Sequence, residues 1–163
     1  MKTGNPRPKI RKATPQDTPE IHSLVCQLAE YEKLGHTVTS TPADLNEAFF
    51  GSSPRAEALV AESPDLPKGN SSPSLVGTAI FFSTFSTFTG KPSLWLEDVF
   101  IRPEYRGNGI GTRFLELFLS LARERGCARA EWAVLDWNEP AIRFYEQLGA
   151  SVMPDLRIVR FKL

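Results

Sequence analysis

The sequence predicts an α/β domain of the α+β kind, a mixed and mostly antiparallel central sheet flanked by helices. Three observations carry this expectation. The chain has 163 residues, the usual size of one domain and enough to bury a real core. Its composition, 41% hydrophobic and 23% charged, is that of a globular protein and not of a disordered one. Strand candidates come first and strands alternate with helices later, an order that packs helices against a mixed sheet. Residues 1–8 carry basic residues and prolines with no apolar stretch behind them, so they read as a flexible tail before a domain spanning 9–163.

The first strand is expected at Lys9–Ala13. Thr14-Pro15-Gln16-Asp17 then offers an N-cap, a proline for the first turn and a first-turn acid. In the helix that follows, Ile21, Leu24, Val25 and Leu28 recur at helical spacing and make one apolar face, with Gly35 as its terminator. Thr41-Pro42 repeats the start signal for a shorter helix through Leu45 and Phe49, closed by Gly51. Ala58–Ala61 is a short apolar strand, and the Pro, Gly and Ser residues of Ser63–Ser74 make a loop to an antiparallel neighbour over Leu75–Phe82. The alternating aromatics of Ser83–Gly90 suit a sheet end that faces a cavity or a partner, with the turn at Lys91-Pro92.

Leu94–Ile101 reads as a strand with two adjacent carboxylates, Glu97 and Asp98, in an apolar run. Neighbours on a regular strand face opposite sides, so at least one of the two must find a polar pocket or a partner. A helix with Ile110, Phe114, Leu117, Phe118 and Leu121 on one face follows, ended by Gly126. A strand at Ala130–Leu135, a helix begun by Asn138 and ended by Gly149, and a last strand at Arg157–Leu163 complete the series.

Between the carboxylate strand and its helix lies Arg106-Gly107-Asn108-Gly109-Ile110-Gly111, a side-chain-poor bend at a helix N-terminus. Unpaired amide hydrogens, the positive end of the helix dipole and absent side chains together suit an anion, with a pyrophosphate the natural guest. The Walker A pattern fails for want of a Lys-Ser/Thr pair after its second glycine. The dinucleotide fingerprint fails because the glycines fall at 107, 109 and 111. A loop used only to turn the chain stays open on these residues alone.

Charge and cysteine content narrow the function classes. Nineteen basic and nineteen acidic residues cancel, so no overall positive field draws the chain to nucleic acid or anionic lipid. Cys26 and Cys127 stand far apart with no Cys-x-x-Cys and no histidine at metal spacing, which suits a reducing cytoplasm and offers no metal site. Both cysteines are expected in the core, and His22 and His36 on the solvated surface.

The turn, with Tyr105 before it, the Glu97-Asp98 strand, and the later Trp137-Asn138-Glu139-Pro140-Ala141-Ile142-x-Phe144-Tyr145-x-x-x-Gly149-Ala150, resembles the GNAT acetyltransferase superfamily. The turn matches its Arg/Gln-x-x-Gly-x-Gly/Ala signature, and the resemblance runs from Ile10 to Phe161. Ala29–Leu34, Tyr105–Gly111 and Ala133–Asn138 look closest to the diamine acetyltransferases, the spermidine/spermine type and its thialysine-preferring sister.

Acetyl-CoA is the donor this resemblance implies, with Arg106, Gly107, Asn108, Gly109, Ile110, Gly111 and Thr112 at its diphosphate. Val99, Phe100 and Ile101 would lie along the pantetheine arm and supply amides to the developing oxyanion. Asn138, an N-cap by its own chemistry, is matched with Glu139, Pro140 and Ala141 to a stretch that contacts coenzyme A. An alkylammonium must lose a proton before it can attack, and Glu97 is the candidate base. Tyr145 matches the general acid that protonates the leaving thiolate, although a tyrosine on an amphipathic helix by itself reads as core. Tyr31, Glu32, Glu97 and Asp98 are placed at the amine. Spermidine-type members carry further acids where this chain has Gly35, His36 and Ser86, which points to an amine shorter than spermine, such as thialysine or a lysine-like molecule.

Two other functions compete with acetylation of a small amine. A non-catalytic acyl-CoA sensor is opposed by the presence of Glu97 and Tyr145. Acetylation of a protein N-terminus or lysine needs an open groove, whereas the aromatic hairpin around Ser83–Lys91 suits closing a small pocket or a homodimer interface.

Overall fold

A computed structural model of the chain describes residues 8–63 and 75–162. The chain divides into two compact units, Met1–Trp132 and Ala133–Leu163.

The first unit is built on a five-stranded sheet: β1 (Lys9–Lys12), β2 (Glu57–Glu62), β3 (Leu75–Ser86), β4 (Lys91–Ile101) and β5 (Ala130–Trp132). The strands lie in the order β1-β2-β3-β4-β5; the first three pairs are antiparallel and β4–β5 is parallel. Consecutive strands pair directly because the connections among the first four need no crossover. Only β4 to β5, joined by a crossover through the helix α3 (Ile110–Glu124), runs parallel. The expected mixed, mostly antiparallel sheet is therefore the one observed.

On one face of the sheet lie α1 (Thr18–Tyr31) and α2 (Pro42–Phe50). Ile21 and Leu24 of α1 and Phe49 of α2 pack with Val60, Ile80 and Phe100 of the strands, all buried. Thr41 caps α2 reciprocally: its hydroxyl accepts from the Asp44 amide and Asp44 accepts from the Thr41 amide. At the other face Phe81 of β3 meets Phe118 of α3 edge-on, with ring centroids 5.6 Å apart, and Phe118 meets Trp132 at 6.3 Å. Fully buried Phe114 and Leu115 complete the α3 contact.

The chain departs from the expected elements at several points. Pro15–Asp17 forms a separate 3-10 turn before α1, because the Asp17 carboxylate takes hydrogen bonds from the Thr14 amide and hydroxyl and from Arg11. The first helix ends at Tyr31, short of Gly35. Lys33 takes the left-handed conformation (φ 61°), the Leu34 amide donates to the Ala29 carbonyl and the Lys33 amide to that of Glu30. This is a Schellman ending with lysine at the position where glycine is usual. Lys91 and Pro92 belong to β4, and the turn falls at 87–90, where Gly90 has φ 63°. Of the expected loop Ser63–Ser74, all but Ser63 lies outside the described residues. Pro8 is buried, its carbonyl accepting a 2.8 Å bond from Arg113; the rest of 1–8 lies outside the described residues.

In the second unit α4 (Glu139–Gln147) is the regular element. The strand expected at Ala130–Leu135 stops at Trp132, and the one expected at Arg157–Leu163 is not formed over 157–162, Leu163 lying outside the described residues. Those residues have strand-like composition but no ladder partner among the described residues, and Val159 and Phe161 are 92% and 86% exposed. Composition alone cannot make a strand where the backbone finds no neighbour to bond.

Candidate active site

The carboxylates of β4 owe their placement to a break in the sheet. Phe81 of β3 stands opposite Leu96, and the next residue, Ile80, stands opposite Asp98, so Glu97 is an extra residue in a β-bulge. Alternation along a regular strand would send Glu97 and Asp98 to opposite faces, and the bulge overturns that expectation. Trp95 pairs with Phe82 and Asp98 with Ile80, two β3 residues on one face. The Trp95 indole nitrogen donates to Glu97 at 2.9 Å. Both acids are thereby brought to the face that carries Phe100 and is covered by α1.

Glu32, at the C-cap of α1, joins them. Asp98 is half-buried and its carboxyl is pushed up to about 6, first by burial and then by the negative charges of Glu97 and Glu32. Burial also raises Glu32. Three carboxylates that share one field, with the Asp98 carboxyl raised by its neighbours and by burial, form a place where an added cation is favoured.

Tyr31 stands next to Glu32 and is 39% exposed. The guanidinium of Arg106 lies over its ring, 4.9 Å from the centroid, and 5.6 Å from that of Phe100. Arg106 also donates from Nε to the Ile101 carbonyl at 2.9 Å. One side chain therefore ties the glycine turn to the end of β4 and to the end of α1. Its charge is directed at aromatic faces and a carbonyl, a placement that the signature pattern did not disclose.

The turn has the build of an anion receptor. Gly107 and Gly109 have φ of 78° and 74°, and a Cβ at either would meet nothing within 4 Å, so glycine is required there by conformation and leaves open space over the backbone. Gly109 is the N-cap of α3 and brings no side chain to its first amides; Arg113 is the first residue to donate back, to the Gly109 carbonyl. The amides of Ile110, Gly111 and Thr112 precede it and lack intrahelical acceptors. Asn108 is exposed, its Nδ2 donating to the Tyr105 carbonyl at 3.3 Å. These features fit a diphosphate approaching main-chain amides. Upstream, β5 runs beside β4 only as far as Leu96, which leaves Glu97 to Ile101, including the expected Val99, Phe100 and Ile101, outside that parallel pairing.

In the second unit, Asn138 caps α4: its side-chain oxygen accepts from the Ala141 amide at 3.4 Å, and Glu139 and Pro140 form the first turn. Tyr145 lies on α4 beside Phe144, with ring centroids 5.4 Å apart. Among the described residues no group of three or more His, Cys, Asp or Glu side chains is arranged to hold a metal ion, and no helix is long and apolar enough to cross a membrane. His36 is exposed as expected, but His22 is half-buried with its Nε2 2.7 Å from the Ser40 carbonyl, and Cys26 and Cys127 are half-buried, not core.

The chain belongs to the Acetyltransferase (GNAT) family, which it matches over residues 27–150. It is 37% identical to a thialysine N-epsilon-acetyltransferase of Mus musculus over 143 residues, covering 88% of this chain and 84% of that protein. It is 32% identical to an L-ornithine N5-acetyltransferase of Arabidopsis thaliana, covering 93% of this chain and 83% of the relative. An integron cassette protein from the mobile metagenome of V. cholerae shares the fold with a TM-score of 0.75 at 20% identity, covering 96% of this chain and 93% of its own.

Proposed function

We propose that this enzyme transfers the acetyl group of acetyl-CoA to the terminal primary amine of a lysine-like amino acid or short diamine, by direct attack in a ternary complex. The observation that carries the proposal is the shared field of Glu32, Glu97 and Asp98 on one face of the bulged strand. Relatives named for thialysine and ornithine support an amine of that length.

The acetyl thioester supplies an activated acyl carbon. Residues Arg106 to Thr112 hold the diphosphate through main-chain amides, and Asn138 to Ala141 add a second contact to coenzyme A. The ammonium enters against Glu32 and Tyr31. Glu97 and Asp98 act as a pair that takes the amine proton, and the raised Asp98 carboxyl is a better proton acceptor near neutral pH than an ordinary carboxylate. Amides of Val99 to Ile101 receive the negative charge that builds on the acetyl oxygen. Tyr145 returns a proton to the departing sulfur. Gly35, His36 and Ser86 leave the pocket poorer in acids than in spermidine-type members, so a long polycation gains less from it.

Residues 9–163 serve this reaction as one catalytic domain in the cytoplasm. The β3–β4 hairpin exposes Phe85 and Phe88, the latter to 98%, and a homodimer would cover them. Sedimentation as a monomer at micromolar concentration would count against that dimer. The deciding experiment is thiol release from acetyl-CoA across a panel of lysine analogues, diamines, polyamines and peptides. Turnover with thialysine or ornithine and little with spermine is expected. Coenzyme A binding without thiol release would mark a sensor, and turnover confined to peptides would mark a protein acetyltransferase.

A further inference from the structure

Outside the acetyl-transfer site, α1 carries a thiol and an imidazole one helical turn apart. The Sγ of Cys26 lies 3.8 Å from Nδ1 of His22, and the other ring nitrogen, Nε2, lies 2.7 Å from the Ser40 carbonyl oxygen. A carbonyl can only accept, so Nε2 carries the hydrogen and the neutral ring presents Nδ1 to the thiol as a bare acceptor. The ring is fixed from both sides: α1 supplies it, and the segment before α2 holds its far end. The charged group of α2 whose field reaches the ring is Asp44, itself bonded to the Thr41 amide and hydroxyl. Cys26 is half-buried and not sealed in the core. Neither residue has a part in the proposed chemistry of β4 and the glycine turn.

We propose that Cys26 is a modification site, a thiol served by His22 as its proton acceptor and reactive toward small uncharged disulfides. As the Cys26 sulfur attacks, its proton passes to Nδ1 of His22. A new sulfur–sulfur bond forms to one half of the reagent while the reagent's own sulfur–sulfur bond breaks. The expelled thiolate takes the proton back from the ring, so the product is a mixed disulfide at Cys26 and one free thiol, with no other oxidant or reductant required.

The test uses dithiodipyridine on the full chain, with thiopyridone release followed by absorbance and the labelled cysteine located by peptide mass. In the unsubstituted protein Cys26 is expected to label about tenfold faster than Cys127, which is also half-buried but has no imidazole partner among the described contacts. Equal or slower labelling of Cys26 overturns the proposal without any substitution. In a Cys127→Ser background, His22→Gln keeps a donor for the Ser40 carbonyl and replaces the basic ring nitrogen by an amide that cannot take up the thiol proton. A fall in rate of about tenfold is expected, and an unchanged rate in a variant with unaltered thermal unfolding removes His22 from the site.

Discussion

Replacing Glu97 by glutamine tests the coupled carboxylate pair through the position of the acid limb in kcat/KM. The Asp98 carboxyl rises from 3.8 to about 6, and its causes in order of size are burial, Glu97 and Glu32. Burial comes first, so the share of Glu97 is less than half of the rise, roughly 0.5 to 1 pH unit. The sign follows from the charge. A neighbouring anion disfavours ionisation of Asp98, so neutralising Glu97 lowers the Asp98 pKa and moves the acid limb to lower pH. In the unsubstituted enzyme kcat/KM should climb with an inflection at about 6. In Glu97→Gln it should climb roughly 0.5 to 1 pH unit earlier, with a lower plateau, and the double variant Glu97→Gln, Asp98→Asn should show no acid limb from this pair. The assay is thiol release with a fixed amine at subsaturating concentration. A limb that stays in place in Glu97→Gln, or survives in the double variant, would refute the coupled pair as the proton acceptor.

Four further outcomes follow from the same geometry. A carboxyl whose folded pKa lies above its unfolded value loses stability as pH rises from 3.8 to about 6, so Asp98→Asn should stabilise the fold at neutral pH by about 1 to 3 kcal/mol and have no such effect below that window, as read by denaturant titration at two pH values. Gly109→Ala forces a side chain into φ 74° with nothing nearby to hit, so the cost is conformational, about 1 to 2 kcal/mol. Calorimetry with coenzyme A should show weakened binding as well, and intact affinity would detach the turn from the diphosphate. Glu32→Gln should raise KM for the amine several-fold with little change in coenzyme A affinity, in line with the loss of one charge pairing. Tyr145→Phe should keep coenzyme A binding and lose turnover; full turnover would remove its hydroxyl from the mechanism.

Much of this was legible in the residues because it depends on short-range chemistry. The Thr41-Pro42 start of α2, the glycine turn with its helix, and the Asn138 cap are each written in a few consecutive positions whose backbone preferences are local. Periodicity placed Ile21, Leu24, Phe114 and Phe118 in the core, and all four are fully buried. What failed was whatever depended on a distant neighbour. The segment 157–162 has the composition of a strand, yet a strand is defined by the partner it bonds. The helix end expected at Gly35 moved to Lys33 because the last turn found its hydrogen bonds there first. His22 and Cys26 stand four apart, yet the residues read singly put the thiol in the core and the ring at the surface, and only the fold shows the Ser40 carbonyl from a later segment that fixes the ring.

The amino-acid sequence by itself determined that this is an α/β acetyltransferase of its family, with a strand-borne acid pair ahead of a glycine-rich turn at a helix N-terminus. Tertiary structure decided where the acids point and how basic they are. A single residue inserted opposite Ile80 and Phe81 resets the alternation of β4, and the end of α1 brings Glu32 into the same field. Both effects arise between separate segments, through strand register and through charges interacting at a partly buried surface, and no local pattern encodes them.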